Sequence, residues 1–167
     1  MASPVPYYHG VCEDTSLRPK ASEFGFATNR DLPRIVELLR DDPIARERES
    51  DDLQNYRTAF EAIDADPNQF LIVAREEGVV VGFLQLTQIA GISRNGTSRA
   101  LIESVRVADT HRGRGVGRAL LTWTIDLARE NGCGLIQLTT DARRDNARKF
   151  YEDLGFEATH VGMKRSL

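Results

Sequence analysis

Apolar residues recur at helical spacing in two stretches of the N-terminal half of the chain. The first stretch follows Thr28 and Asp31, which have the spacing of a helix N-cap pair. The second stretch covers residues 47–63. We therefore predict two amphipathic helices, preceded by a short strand over residues 24–27. The apolar faces consist of Leu32, Ile35, Val36 and Leu39 in the first helix and of Leu53, Tyr56, Phe60 and Ile63 in the second.

Strand-like runs follow the second helix. Residues 70–74 and 79–86 are rich in apolar and β-branched side chains, and residues 76–78 between them have the length of a hairpin loop. A third run, over residues 100–107, comes after the turn residues 94–96. The pattern predicts three consecutive antiparallel strands.

Helix and strand then alternate toward the C-terminus. A helical face that ends at Asn131 and Gly132 is followed by a strand over residues 135–139, and this order predicts a parallel, right-handed unit. A short helix that stops at Gly155 and a last strand pair over residues 156–164 complete the pattern. The apolar faces are Val116, Leu120, Trp123 and Leu127 in the first of these helices and Ala147, Phe150, Tyr151 and Leu154 in the second.

Together these elements predict an α/β (α+β) fold, a mixed sheet of about six to seven strands with flanking helices. The chain has 167 residues, of which 41% are hydrophobic and 28% charged, so we expect one globular domain. We assign it to residues 23–167. Residues 1–22 contain three prolines and no sustained periodicity, and are predicted to form an extended or disordered arm.

Charge and cysteine content exclude several classes of partner. The formal net charge of -3 provides no basic stripe for nucleic acid, and no apolar run is long enough to span a membrane. Neither Cys12 nor Cys133 lies in a metal-ligand spacing, and two cysteines are too few for a disulfide framework. We expect a cytoplasmic protein with no metal, nucleic acid or membrane partner.

A glycine-rich segment separates the third strand of the antiparallel set from the helix that follows it. Glycines let the backbone approach a ligand closely, and the first N–H groups of a helix attract anions. The flanking arginines can add charge-assisted hydrogen bonds. This glycine-rich loop predicts a pyrophosphate site, formed by Arg112, Gly113, Arg114, Gly115, Val116, Gly117 and Arg118. A tight turn whose arginines are merely solvated is the alternative.

Two better-known phosphate loops do not fit this segment. A dinucleotide fingerprint would need glycine at Arg118, or glycine or alanine at Leu120. A P-loop would need Gly-Lys followed by Ser or Thr, and that tripeptide does not occur in the sequence. A dinucleotide enzyme and a nucleotide triphosphatase are therefore disfavoured.

With these patterns excluded, the chain resembles the GNAT superfamily of acyl-CoA-dependent N-acetyltransferases. Arg112, Gly115 and Gly117 match its cofactor motif, and the resemblance extends to residues 101–107 upstream and 150–156 downstream. It implies that acetyl-CoA is the cosubstrate, bound at the pantetheine arm by the backbone of Val105, Arg106 and Val107. Many members have an asparagine at the position of Arg144 that contacts the cofactor. Here the nearby amide is Asn146, which we include among the candidate cofactor contacts.

The resemblance also implies an acid and a base for acetyl transfer. Tyr151 matches the tyrosine that the family commonly places beside the cofactor sulfur, although its position also fits a core aromatic residue. Glu103 lies among apolar residues on a strand that we predict to be buried, where desolvation would raise its pKa and suit it to act as a base. A structural carboxylate is the alternative. Since neither cysteine lies near these motifs, we expect direct attack in a ternary complex.

The acceptor is the least defined part of the prediction. We expect a primary amine of a small molecule, with a peptide or protein amine, or a non-catalytic module that binds acyl-CoA, as alternatives. A homodimer is common in the family and is expected only by that analogy. The acidic run of Glu47, Glu49, Asp51 and Asp52 could attract a cationic amine or form a solvated helix end, and His111 is predicted to be a loop residue.

Overall fold

A computed structural model describes residues 22–43 and 46–166. The predicted arm lies outside these residues except for Ser22, which begins the first strand. In chain order the elements are β1 (Ser22–Phe26), α1 (Leu32–Arg40), α2 (Leu53–Ala65), β2 (Gln69–Glu76), β3 (Val79–Ile89), the one-turn α3 (Ser93–Gly96), β4 (Arg99–Val107), α4 (Val116–Glu130), β5 (Leu135–Leu138) and α5 (Asp145–Glu152).

The described strands form one mixed sheet in the order β1-β2-β3-β4-β5. β1 to β4 pair in antiparallel fashion, and β4 pairs with β5 in parallel across α4. This confirms the predicted antiparallel set and the parallel unit. The predicted count of six to seven strands is wrong, because the sheet has five.

The missing strands are the pair predicted over residues 156–164. This segment contains neither helix nor strand. Its apolar alternation depends on Val161 and Met163, which are 91% and 92% exposed and therefore give the segment no buried face to hold it on the sheet.

Local side-chain bonds set the ends of the first two helices. The Asp31 carboxylate accepts hydrogen bonds from the Thr28 backbone N–H and hydroxyl, at 2.7 and 2.9 Å, which fixes the entry to α1. Asp52 accepts the Gln54 N–H at 2.9 Å and caps α2. The second helix therefore begins at Leu53 and not at residue 47, and the charged residues Arg46–Arg48 form a separate helical turn.

Helices cover both faces of the sheet. On one face α4 packs on a core that includes Ile72, Leu84 and Ile102. On the other face α1 and α2 pack on Val73 and Phe83. The alternation of neighbouring strand residues between the two clusters explains why residues 70–74 of β2 and 79–84 of β3 are consecutive residues without a polar side chain. No helix in the described part of the chain has the length and apolar character needed to cross a membrane.

Two irregularities of β4 open the sheet near its middle. Between the pairs Gln85↔Glu103 and Phe83↔Arg106, two residues of β4 oppose one of β3, a β-bulge in which Ser104 has φ 55°. On the other side, the pairing of β4 with β5 ends at Ile102↔Leu138, although β4 continues to Val107. The edge of residues 103–107 that faces away from β3 is therefore not covered by β5.

Candidate active site

The glycine-rich loop connects the end of β4 to the start of α4. Gly113 and Gly115 have φ of 71° and 84°, and Gly115 is the N-cap of α4. A Cβ added at either glycine would meet no heavy atom within 4 Å, so the space beside the backbone is open. The first bond within α4 runs from the Ala119 N–H to the Gly115 carbonyl at 3.0 Å. The N–H groups of the preceding turn thus remain available to an anion.

The arginines of the loop are anchored to the protein through one or two contacts each. Arg112 donates through Nε to the Val107 carbonyl at 3.3 Å, and Arg118 donates through Nη1 to the Asp153 carbonyl at 3.3 Å. Arg114 lies 3.6 Å from the Glu76 carboxylate. The Arg112 and Arg114 side chains are 54% and 57% exposed, which leaves other guanidinium donors accessible to phosphate oxygens.

His111 holds the loop against the sheet. Its Nε2 lies 3.3 Å from the same Glu76 carboxylate that contacts Arg114. Glu76 is the last residue of β2, so one partly buried carboxylate contacts both His111 and Arg114. The structure places His111 at the end of the short helical turn Asp109–His111, directly before the loop, with an anchoring contact that the sequence did not reveal.

The predicted motifs meet at Gly117. A Cβ added there would lie 3.4 Å from Val107 Cγ2 and 3.6 Å from Phe150 Cζ. The first turn of α4, the end of β4 and helix α5 are therefore in contact. Three segments that are separate in sequence converge on one region of the surface.

The backbone of β4 presents alternate residues to the open edge. The Ala108 N–H donates to the Val81 carbonyl at 2.8 Å, so the backbone groups of Val107 and Val105 point away from β3. Their carbonyls accept from Arg112 Nε at 3.3 Å and Arg106 Nη1 at 2.8 Å. The strand therefore offers the N–H groups of Val105 and Val107, whereas the Arg106 backbone faces β3.

Tyr151 lies on α5 among aromatic side chains. Its ring centroid is 5.4 Å from that of Phe150 and 6.0 Å from that of Phe156 in an edge-to-face arrangement. Burial raises the pKa of the Tyr151 phenol, and the nearby charges of Arg106 and Arg144 act to lower it. A partly buried phenol near two cations is an environment in which a proton can be held and donated.

A buried carboxylate, Asp42, connects those two arginines. Its Oδ2 lies 3.0 Å from Arg106 Nη2 and accepts a short hydrogen bond from Arg144 Nη2, while the side chain is 3% exposed. Sequence reasoning missed Asp42, because no local pattern links positions so far apart in the chain. Arg144, the departure from the family asparagine, thus binds Asp42, and Asn146 is exposed on the first turn of α5.

Glu103 does not occupy the environment predicted for it. We expected a carboxylate buried on β4, and the side chain is exposed. The reason is the β-bulge at Ser104, beside the point where β5 separates from β4. Glu103 therefore lies at the open edge and is accessible to water and to an incoming amine, but desolvation cannot be the basis of a catalytic role.

The acidic run divides between structural contacts and the edge of the site. Asp51 pairs with Arg40 and Asp52 caps α2, while Glu47 is exposed. Glu49 accepts the Tyr56 hydroxyl at 2.7 Å. Glu49 also lines an open cavity of about 360 Å³, whose other lining residues are Glu37, Arg40, Asp41 and Arg46. Among the described residues, no group of three or more His, Cys, Asp or Glu side chains could hold a metal ion.

Comparison with known proteins decides the family. Residues 32–156 match the Acetyltransferase (GNAT) family. The chain belongs to this family. Enzymes of the family use acetyl-CoA as cosubstrate, and the protein is an acetyl-CoA-dependent acyltransferase. The matched region of this acetyltransferase includes the bulged strand, the glycine-rich loop, Asp42 and Tyr151.

Individual relatives differ in what their names describe. An aminoalkylphosphonate N-acetyltransferase from Salmonella typhimurium is 31% identical over 116 residues, 70% of this acetyltransferase and 75% of that protein. The N-alpha-acetyltransferase RimI from Mycobacterium tuberculosis is 33% identical over 110 residues, 64% of this chain and 63% of the relative. The solved structure of a transcriptional regulator from Bacillus halodurans C-125 has a TM-score of 0.85 and 42% identity, covering 87% of this chain and 99% of its own.

The geometry of the loop gives a first prediction. Gly115→Ala raises the Kd for acetyl-CoA about tenfold, because a left-handed backbone costs an alanine roughly 1–2 kcal/mol, and relieving the strain displaces the N–H groups at the start of α4. The matched control is Gly132→Ala at the other end of α4, where φ is 76° and a Cβ again meets nothing within 4 Å. Calorimetric titration should show unchanged affinity in the control. Equal affinity in the two variants would contradict the assignment.

Proposed function

We propose that the protein transfers the acetyl group of acetyl-CoA to the primary amine of a small molecule, by direct attack in a ternary complex. The observation that carries the proposal is the convergence of the open glycine-rich loop, the uncovered edge of β4 and helix α5 around Gly117. A small acceptor is supported by the relative named for aminoalkylphosphonate. Glu103 is exposed at the same edge, where its carboxylate is accessible to the acceptor amine.

Acetyl-CoA suits the groups that the chain offers. The pyrophosphate would bind the N–H groups at the start of α4 together with Arg112, Arg114 and Arg118. The pantetheine amides would bind the N–H groups of Val105 and Val107. The thioester supplies an activated acetyl group when the cosubstrate is bound. The glycine-rich loop thus offers positive charge to the phosphates, and the open edge of β4 offers neutral backbone groups to the pantetheine arm.

Two side chains handle the protons. The amine must be neutral when its nitrogen bonds to the acetyl carbon, and Glu103 accepts its proton directly or through a water molecule. Tyr151 donates its phenol proton to the sulfur as the carbon–sulfur bond breaks. The nitrogen loses its second proton as the amide forms, and this proton returns to the tyrosinate through solvent. Glu103 releases its own proton to water, so both side chains are restored and one proton is released for each ammonium group acetylated.

The acceptor class is tested by turnover of acetyl-CoA against a panel of small amines and a panel of peptides. Turnover of one or more small amines, with peptides inactive, is the expected result. Turnover restricted to peptide N-termini or lysines would favour the protein-directed alternative, for which the similarity to RimI is the supporting observation.

A non-catalytic acyl-CoA-binding module is the sequence-based alternative from another class. The relatives that are named as acetyltransferases disfavour it. Acetyl-CoA binding by calorimetry with no turnover across both panels would support this alternative. Absence of acetyl-CoA binding would overturn both functions.

Removal of the proposed base gives a second prediction. Glu103→Gln lowers kcat about tenfold near neutral pH, a loss below the usual range for a general base because water reaches this exposed position and can take the proton. The loss should shrink as the pH rises and more of the amine is neutral. Glu130→Gln at the far end of α4 is the control. If kcat is the same in both variants at every pH, Glu103 is not the base.

A further inference from the structure

Three distant segments of the chain meet in one charge cluster. Asp42 follows α1, Arg106 lies on β4, and Arg144 precedes α5. A single carboxylate oxygen of Asp42 binds both guanidiniums, at 3.0 Å from Arg106 and within a short hydrogen bond of Arg144. We call these three residues the Asp42 cluster. It joins the end of α1 to β4 and to the helix that bears Tyr151.

The carboxylate offsets an arrangement that would otherwise be unfavourable. Burial lowers the pKa of the Arg106 guanidinium, the charge of Arg144 acts in the same direction, and Asp42 opposes both effects. Without Asp42 the two like charges would repel each other and could turn toward solvent. With it, Arg106 is fixed at two points, because its Nη1 also donates to the Val105 carbonyl at 2.8 Å.

The cluster carries a net positive charge toward Tyr151. It contains two guanidiniums and one carboxylate. Arg144 is the N-cap of α5, the helix that bears Tyr151, and Val105, the neighbour of Arg106, packs on the same core cluster as Tyr151. Both guanidinium charges act to lower the pKa of the phenol. The charge of Glu49 also acts to raise the pKa of Arg106. Burial alone would make the phenol a poorer acid, so the cations act in the direction that proton donation requires.

We propose that the Asp42 cluster is a positioning device that fixes two guanidiniums near Tyr151, so that this partly buried phenol can still donate its proton. Asp42 and Arg144 act through Tyr151 and touch neither substrate in this scheme. The proposal rests on the proposed function in one respect, the role of Tyr151 as the acid.

The first test measures the phenol directly. Protein is prepared with tyrosine isotopically labelled at Cζ, and the Tyr151 resonance is assigned by its absence from Tyr151→Phe. Arg144→Gln removes one cation and keeps a hydrogen-bond donor for Asp42, so the pKa of Tyr151 rises and less tyrosinate forms at a given alkaline pH. The titration extends to the highest pH at which circular dichroism shows the fold intact.

Two variants make that measurement specific. Arg143→Gln removes the neighbouring arginine, whose partner is the local Asp141, and should leave the Tyr151 titration unchanged. Arg144→Lys keeps the positive charge, so the pKa of Tyr151 in this variant should lie between those in Arg144→Gln and in the unmodified protein. A Tyr151 titration that is the same in Arg144→Gln and Arg143→Gln overturns the proposal.

The second test is kinetic. Arg144→Gln should lower kcat about tenfold in the unmodified protein and have little further effect in the Tyr151→Phe background, because residues that act through one another are non-additive. An equal loss in both backgrounds would mean that the cluster supports the fold only, and would overturn the proposal. The resonance measurement needs no acceptor. A failure of the proposed function therefore shows as absent turnover with the titration difference intact.

Discussion

Replacing Tyr151 by phenylalanine lowers kcat by about two orders of magnitude and leaves the KM for acetyl-CoA within about twofold. The change removes one phenolic oxygen and keeps the ring, whose centroid lies 5.4 Å from that of Phe150 and 6.0 Å from that of Phe156. The fold and the cofactor contacts therefore persist. What is lost is the proton donated as the thiolate leaves, an interaction made in the transition state.

The pH profile separates this role from a packing effect. In the unmodified protein kcat falls as the pH rises through the pKa of Tyr151, which burial raises above its ordinary value. The sign follows from the chemistry, because only the protonated phenol can donate. Tyr151→Phe should lose this alkaline limb together with most of its kcat. A limb that persists in the variant, or an unchanged kcat, would show that another group is the acid.

The elements that could be predicted from the sequence are those whose structure is determined by residues close together in the chain. Helical spacing located α1, α4 and α5, because each buries one face against the sheet. The hairpin and the parallel unit followed from short loops and from the strand–helix–strand order. The glycine-rich loop was recognisable because the positive φ of Gly113 and Gly115 strongly favours glycine.

The environment of Glu103 could not be predicted in this way. A burial prediction from alternation assumes that each residue of a strand pairs with one residue of its neighbour. At the bulge around Ser104, two residues of β4 oppose one of β3, so the assumption fails. Serine has no strong preference for the left-handed backbone, so the residue itself gives no signal. The separation of β5 from β4 after Ile102 likewise depends on where a later segment of the chain ends.

The Asp42 cluster was beyond sequence reasoning for a different reason. In the sequence, Asp42 is one of several acidic residues near the end of a predicted helix. Its burial depends on two arginines, one on β4 and one before α5. Arg144 was noticed only as a departure from a family asparagine. Its contact with Asp42 gives that departure a physical role.

Asp42→Ala should lower the free energy of unfolding by about 3 kcal/mol, the lower end of the range for breaking a buried ion pair, since the arginines keep some access to water. The control is Asp41→Ala, an adjacent but exposed aspartate whose backbone N–H, retained by alanine, bonds to the last turn of α1. Its effect should stay within about 0.5 kcal/mol. Urea denaturation followed by circular dichroism measures both. Similar losses in the two variants would mean that helix-end charge, and not the link between β4 and α5, accounts for Asp42. A selective loss would show that the carboxylate stabilises the fold at the point where the end of α1, β4 and the helix of the proposed acid meet.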